Sequence, residues 1–238
     1  STLKSDGLIE KLSYSLFLNS LSATSGDLLF GAVDSDKYQG GLYTVPLVNI
    51  YEGEIDNPVE FDVTLQGTGY SGSDGTEVTF NQQNFAALFD SGTTLTVLPE
   101  TLADYFANQL GATYNDEYGY YFLDCKTYSD SDAFVFQFGG VNFYSPVQNY
   151  ILDTSDDSQC YLGIVPTADN HAIIGDNTLT SFYVVYNLED YELSIAQANY
   201  DGASSNSISP ISDSVPGAQQ APNYSNTAID TNVAVTSG

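Results

Sequence analysis

The chain of 238 residues has no arginine, 4 lysines, 1 histidine and 2 cysteines. Against those 4 fixed cations stand 31 aspartates and glutamates, a formal net charge of −27 at pH 7. A surface this acidic repels nucleic-acid phosphates and anionic lipid, which excludes both as partners. It attracts basic peptides and repels itself less as carboxylates protonate, so an acid environment or cationic substrates suit it, as does a solubilised extracellular surface. Two thiols exclude a four-ligand zinc site, and their spacing is no redox pair. A single disulfide between Cys125 and Cys160 in an oxidising compartment fits best, and closing that loop contributes about 3–4 kcal/mol. No run approaches the roughly 20 apolar residues of a membrane span. No signal-peptide pattern stands at Ser1, so the sequence reads as a processed piece with its targeting segments removed.

What is present is β-forming. Hydrophobic content is 42%, with 19 tyrosines and 13 phenylalanines, enough for broad half-buried sheets. Residues 1 to 200 carry LSYSLFLNS, GDLLFGAVDS, EFDVTLQGTGY, DAFVFQFGGVNFY and SFYVVYNLEDYELSIAQA between Gly, Asp, Asn and Ser punctuation. One helix is expected in PETLADYFANQLG, with Leu102, Tyr105, Phe106 and Leu110 on one face and Gly111 after its end. A helical turn is expected at DNTLTSF, and LKSDGLIEKL reads as a short helix or linker. From 201 to 238 the text turns to Ser, Asn, Pro and Ala without periodicity, the composition of a disordered tail. That tail holds the sequon Asn223-Tyr224-Ser225, a glycosylation site for a secreted protein.

The chemistry concentrates in FAALFDSGTTLTVLP, residues 85 to 99, where an apolar run delivers Asp90 into a turn of small and hydroxyl residues. A carboxylate leaving a buried strand is partly desolvated and needs donors. Ser91, Gly92, Thr93 and Thr94 offer hydroxyls and unobstructed N–H groups. Two such cradles face to face would hold two carboxylates sharing one proton, poised to activate water and protonate a leaving group. Taken alone, the same residues also describe an Asx-type turn that merely caps a strand.

Four segments in order remove that ambiguity. GDLLFGAVDSDKYQGGLYTVPL, FDSGTTLTVLPETLADYF, FQFGGVNFYSPVQNYIL and AIIGDNTLTSFYVVYNLEDYELSIAQA together resemble the C-terminal lobe of the pepsin-like aspartic proteases. The resemblance implies an all-β lobe of orthogonally packed sheets with one or two short helices. It implies Asp90 as one of two catalytic aspartates, Ser91, Gly92 and Thr93 as support for its loop, and Thr94 and Phe17 as substrate-lining residues. It maps Cys125 and Cys160 onto the lobe's disulfide and calls for no metal or organic cofactor.

The family's second Asp-Thr-Gly or Asp-Ser-Gly does not occur here; Asp27, Asp34, Asp36, Asp74, Asp153 and Asp176 all stand outside that sequence. The resemblance therefore implies a partner, an N-terminal lobe or subunit carrying the other aspartate and a flap. The acidic composition, the Ser/Asn-rich tail and its sequon are most like the fungal yapsin-type enzymes. That likeness implies a secreted or cell-surface endopeptidase preferring basic residues, lipid-anchored through a segment beyond Gly238. Two rivals stand beside it: a homodimer in which each copy supplies Asp90, and a catalytically inactive lobe serving as a binding or cell-wall module. His171 has no Cys or acidic cluster near it in sequence and reads as a surface or loop residue, and Ser91 lacks the Gly-x-Ser-x-Gly setting of a serine nucleophile. The run DTSDDSQC lacks calcium-loop spacing and reads as a solvated loop.

Overall fold

The computed structural model describes residues 2–154 and 158–230. Among the described residues the strands form sheets of six, eight, four and two strands. This is the all-β lobe that the aromatic and β-branched segments predict.

The six-stranded sheet runs in the order Asp27–Phe30, Ser13–Phe17, Phe182–Asn187, Glu192–Ala198, Tyr38–Pro46, Ala218–Gln220. Its central strands are buried on both faces, because alternate residues enter two different cores. Phe182, Val184 and Tyr186 face the main core, while Tyr183 and Val185 face a second, smaller one with Val33, Leu42 and Ile211. The eight-stranded sheet is built around Asp62–Ser71, which pairs with three neighbours: Phe85–Phe89, Ala133–Phe138 and Glu77–Asn81. One feature of this sheet positions the site. The strand His171–Ile174 runs parallel to Phe85–Phe89, so two segments distant in sequence end side by side.

The helix Glu100–Leu110 covers one face of that sheet. It ends where Gly111 adopts a left-handed φ of 71° and its N–H bonds the carbonyls of Ala107 and Asn108. Leu102, Ala103, Phe106 and Ala107 form its buried stripe, and Phe106 meets Phe134 edge-on with centroids 4.5 Å apart. Tyr105, expected on that face, is instead exposed, and the alanines fill the place. Their small side chains bring the helix close against the sheet. The helical turn at Asp176–Leu179 and a short helix at Thr2–Ser5 form where the sequence predicts them. Cys125 and Cys160 are joined in a disulfide with Cα atoms 5.1 Å apart.

The folded unit does not stop at residue 200. Ile208–Pro210 pairs with Ala32–Asp34, and Ala218–Gln220 adds a parallel strand beside Tyr38–Pro46. Ile211 is fully buried, and the Asn223 N–H donates to the Gly139 carbonyl at 2.8 Å. Lys37, itself 2% exposed, donates from Nζ to the carbonyls of Ala203 and Ser205 at 2.8 and 2.9 Å and pairs with Asp27 at 3.1 Å. A disordered tail is therefore the wrong description of residues 207 to 230. Few side chains hold this stretch, so no apolar period marks it; backbone pairing to strands already in place does the work. The rest of the tail, 231 to 238, lies outside the described residues.

Candidate active site

The Phe85–Phe89 strand carries Phe85, Ala87 and Phe89 into the core, which leaves Ala86 and Leu88 on the opposite face. At its end the Asp90 N–H donates to the Ile174 carbonyl at 3.2 Å, the last link with the neighbouring parallel strand. The chain then turns tightly. The Gly92 N–H donates to Asp90 Oδ1 at 2.9 Å, and the Thr93 hydroxyl donates to Oδ2 at 2.6 Å. Both carboxylate oxygens are thus held by residues two and three positions along the chain. The group is half-buried, and its loop is exposed at Ser91, Gly92 and Thr94. Gly92 is needed for contact rather than for φ: a Cβ there would stand 3.1 Å from Asp90 Oδ1 and press on the carboxylate.

The loop is clamped from behind. The N–H groups of Asp176 and Asn177 donate to the carbonyls of Thr93 and Thr94 at 2.8 and 3.2 Å. Thr96 Oγ1 donates to Asn177 Oδ1 at 2.7 Å, and Asn177 Nδ2 donates to the Gly163 carbonyl at 2.7 Å. Gly175 makes the approach possible, since a Cβ there would lie 2.4 Å from the Leu95 carbonyl oxygen and 2.8 Å from that of Thr93. Asp176 also brings a second carboxyl near Asp90. Burial, and then the charge of Asp90, raise its pKa above the ordinary aspartate value. Burial likewise holds the Tyr186 phenol far above its usual value, with the charges of Asp90 and Asp176 adding to it.

The structure thus brings Asp90, Gly92 and Thr93 into one constellation, with Thr94 exposed beside it and Ser91 at the tip. It does not bring Phe17 there. Phe17 is 1% exposed in the second core, against Val33, Leu42 and Tyr183, with Lys37 Nζ 5.7 Å from its ring centroid. Parity explains the correction: Tyr14 and Leu16 face the main core, so the odd positions of that strand turn away. Asn223 is exposed, as a glycosylation acceptor must be. The Asp-rich run falls partly at 155 to 157, outside the described residues. Asp153 lies with Cys125 and Cys160 in a possible ligand group, but both thiols are consumed by the disulfide. His171 is not the loop residue its surroundings in sequence suggest. It opens a strand, and its Nε2 lies 2.5 Å from Oδ1 of the fully buried Asp62.

A sequence profile described as eukaryotic aspartyl protease matches residues 1–198. The chain belongs to this family. Among similar proteins are three of Saccharomyces cerevisiae: aspartic proteinase 3 at 47% identity, aspartic proteinase yapsin-3 at 44% and aspartic proteinase MKC7 at 42%. Each alignment covers 94% of this chain but only 39%, 44% and 38% of the relative. The chain therefore spans about two-fifths of the length of these yapsin-type relatives.

Asp176, Asn177 and Thr96 were not expected as site residues. The signal for the first two lies in their place after Ile173-Ile174-Gly175, an apolar strand ending on the one residue type that can touch the Asp90 loop's carbonyls. Nothing local marks the Asp62–His171 pair, whose members stand 109 residues apart.

Proposed function

We propose that this chain is the C-terminal lobe of a secreted or cell-surface aspartic endopeptidase, and that Asp90 is one of its two catalytic carboxylates. The observation carrying this reading is the doubly hydrogen-bonded, half-buried Asp90 at the base of an exposed loop clamped from behind. An N-terminal lobe supplies the second aspartate, because no other Asp here stands in an Asp-Ser/Thr-Gly sequence. Two close carboxylates cannot both ionise readily, so the resting pair holds one proton; aspartic proteases are the standing example of such coupling.

The ionised member takes a proton from water as its oxygen attacks the peptide carbonyl, and the protonated member donates to the carbonyl oxygen. The carboxyl that took the water's proton then passes it to the amide nitrogen while the other carboxylate takes back a hydroxyl proton of the tetrahedral intermediate, so that the C–N bond breaks and the pair again shares one proton. Gly92 and Thr93 fix the carboxylate in plane for both transfers. The acidic excess favours substrates with Lys or Arg near the bond that is cut. Native mass and peptide sequencing of the protein isolated from its source test the assembly. A co-isolated segment containing Asp-Thr-Gly or Asp-Ser-Gly, together with loss of peptidase activity in Asp90→Asn, is the expected result. A lone chain of this mass, or an active Asp90→Asn protein, refutes it.

A further inference from the structure

The four-stranded sheet runs in the order Ile151–Asp153, Gln159–Leu162, Tyr120–Asp124, Thr113–Asn115. Its strands divide their residues by parity. Tyr121, Leu123, Cys160 and Leu162 are buried in the main core, so Tyr120, Phe122, Asp124, Gln159 and Tyr161 point out of the opposite face. Thr113 and Asn115 share that face, paired with Phe122 and Tyr120. An outer sheet face ordinarily carries polar side chains. Here it carries a cluster of rings: Tyr118 meets Phe122 edge-on with centroids 5.8 Å apart, and Tyr120 meets Tyr161 at 5.3 Å. None of these four rings belongs to either core, and Tyr118 is 63% exposed. Packing of the lobe does not account for them, and a contiguous aromatic patch of this kind marks a contact surface.

Beside the end of the helix Glu100–Leu110 an open groove of about 430 Å³ crosses this face, a size suited to a small ligand. The Phe122 ring lines it together with Thr113, Asn115 and Gln159, which offer uncharged donors and acceptors, and with Asp124 and Lys126. The turn that follows Asn115 is fixed: Asn115 Oδ1 accepts the N–H groups of Glu117 and Tyr118 at 2.9 and 3.3 Å, and its carbonyl accepts the Gly119 N–H at 2.8 Å. Tyr118 is thus presented with little freedom left to lose on binding. Lys126 takes no part in the ion pairs that hold Lys4, Lys11 and Lys37. One carboxylate and one ammonium cancel, so the groove is neutral within a chain of net charge −27. An anionic ligand is repelled by the surface as a whole, and a cationic one meets no net attraction in this groove. A neutral ligand with an apolar face and a rim of hydroxyls matches it. A pyranose has that form: its C–H face stacks on an aromatic ring, and its hydroxyls both donate and accept.

We infer that the outer face of the four-stranded sheet binds a neutral sugar chain, with Phe122 stacking on one pyranose, the neighbouring tyrosines extending the platform along the chain, and Asp124, Lys126 and Gln159 hydrogen-bonding its hydroxyls. None of these residues belongs to the Asp90 loop or to the clamp behind it. The site is therefore independent of the proteolytic reading, and it adds a means of holding the protein on a polysaccharide surface.

The test titrates glucose, laminarihexaose, cellohexaose and mannohexaose into the protein as isolated from its source, followed by calorimetry. At least one hexamer is expected to bind about tenfold more tightly than glucose, with an affinity indifferent to added salt. Phe122→Ala, which removes no core contact, is expected to weaken that binding about fivefold, whereas Phe122→Tyr keeps the ring and preserves it. Asp124→Ala, at an exposed position, weakens it as well. Should Phe122→Ala melt early, Asp124→Ala and Lys126→Ala, both exposed, decide the matter alone. If no hexamer binds more tightly than glucose, or if binding survives the substitutions, the sugar site is refuted. Hexalysine is the counter-probe: a groove that prefers it, loses it in salt and in Asp124→Ala, and keeps it in Phe122→Ala is an electrostatic peptide site, which also overturns the assignment.

Discussion

Two aspartates of one sheet, Asp62 paired against Leu88 and Asp90 two residues beyond it, are held in opposite ways. Asp90 is half-buried and takes both its hydrogen bonds from residues two and three positions on. Asp62 is fully buried, and among the described residues the one partner of its carboxylate is a histidine 109 residues away. The first arrangement holds a carboxylate within reach of solvent. The second removes a charge from water and couples it to a single partner, so its stability depends on that partner's protonation. A local cradle suits chemistry, whereas a long-range pair suits the fixing of one side chain's direction.

The contrast breaks first at Asp90. Asp90→Asn is nearly isosteric and is expected to lower kcat/KM of the assembled enzyme by about 10³-fold, with little change in melting temperature. An active Asp90→Asn enzyme would make the cradle a mere cap. Thr93→Val keeps the shape and removes the Oδ2 donor; steady-state kinetics should show a smaller loss, about 10- to 100-fold, as expected for a hydrogen bond to a charged group.

The Asp62–His171 pair is expected to respond in stability. Asp62→Asn leaves His171 without its counter-ion and should cost about 1–3 kcal/mol in denaturant unfolding, the half-exposed ring screening part of the effect. Its pH dependence has a definite sign. Because the folded state raises the His171 pKa above 6.5, the pair's contribution is complete below that value and is lost as pH rises through the raised pKa. The difference between the native protein and His171→Gln should therefore shrink on going from pH 5 to pH 9, and a constant difference would show that the ring's charge plays no part.

The smallest effect is expected at Asp176, between the two extremes. Its raised pKa means that the folded state holds its proton more tightly, so stability falls as pH rises from the ordinary value of 3.8 through the raised one. Asp176→Asn removes that loss, and thermal melts should find the variant relatively more stable near neutrality than in strong acid. The same substitution removes a charge beside Asp90 and should displace the acidic limb of the pH–rate profile. An unmoved limb would uncouple the two carboxylates.

The same division between local and distant contacts explains what was legible in the sequence. Asp90 could be found because its donors are its neighbours, and Gly111 because a helix stop is a local conformation. The Tyr105 and Phe17 expectations failed because each rested on a pattern along one element. Whether a half-apolar position is buried, and against which core, is set by elements that the pattern does not contain. Residues 207 to 230 were misread for a related reason. Ile211 and Val215 are isolated apolar residues in a polar text, and only the slots formed by distant strands give them a place.

By itself the sequence determined the all-β class, the family, the helix and its stop, the disulfide's two cysteines and the Asp90 loop, because each is written within a few residues or in the order of a few segments. Tertiary structure alone decided the clamp of Asp176 and Asn177 on that loop, the docking of the C-terminal strap through Lys37 and the pairing of His171 with Asp62. Those contacts join residues far apart in the chain. Their free energy comes from removing polar groups from water only when a partner is already in position, a condition that the folded chain meets and a linear motif cannot encode.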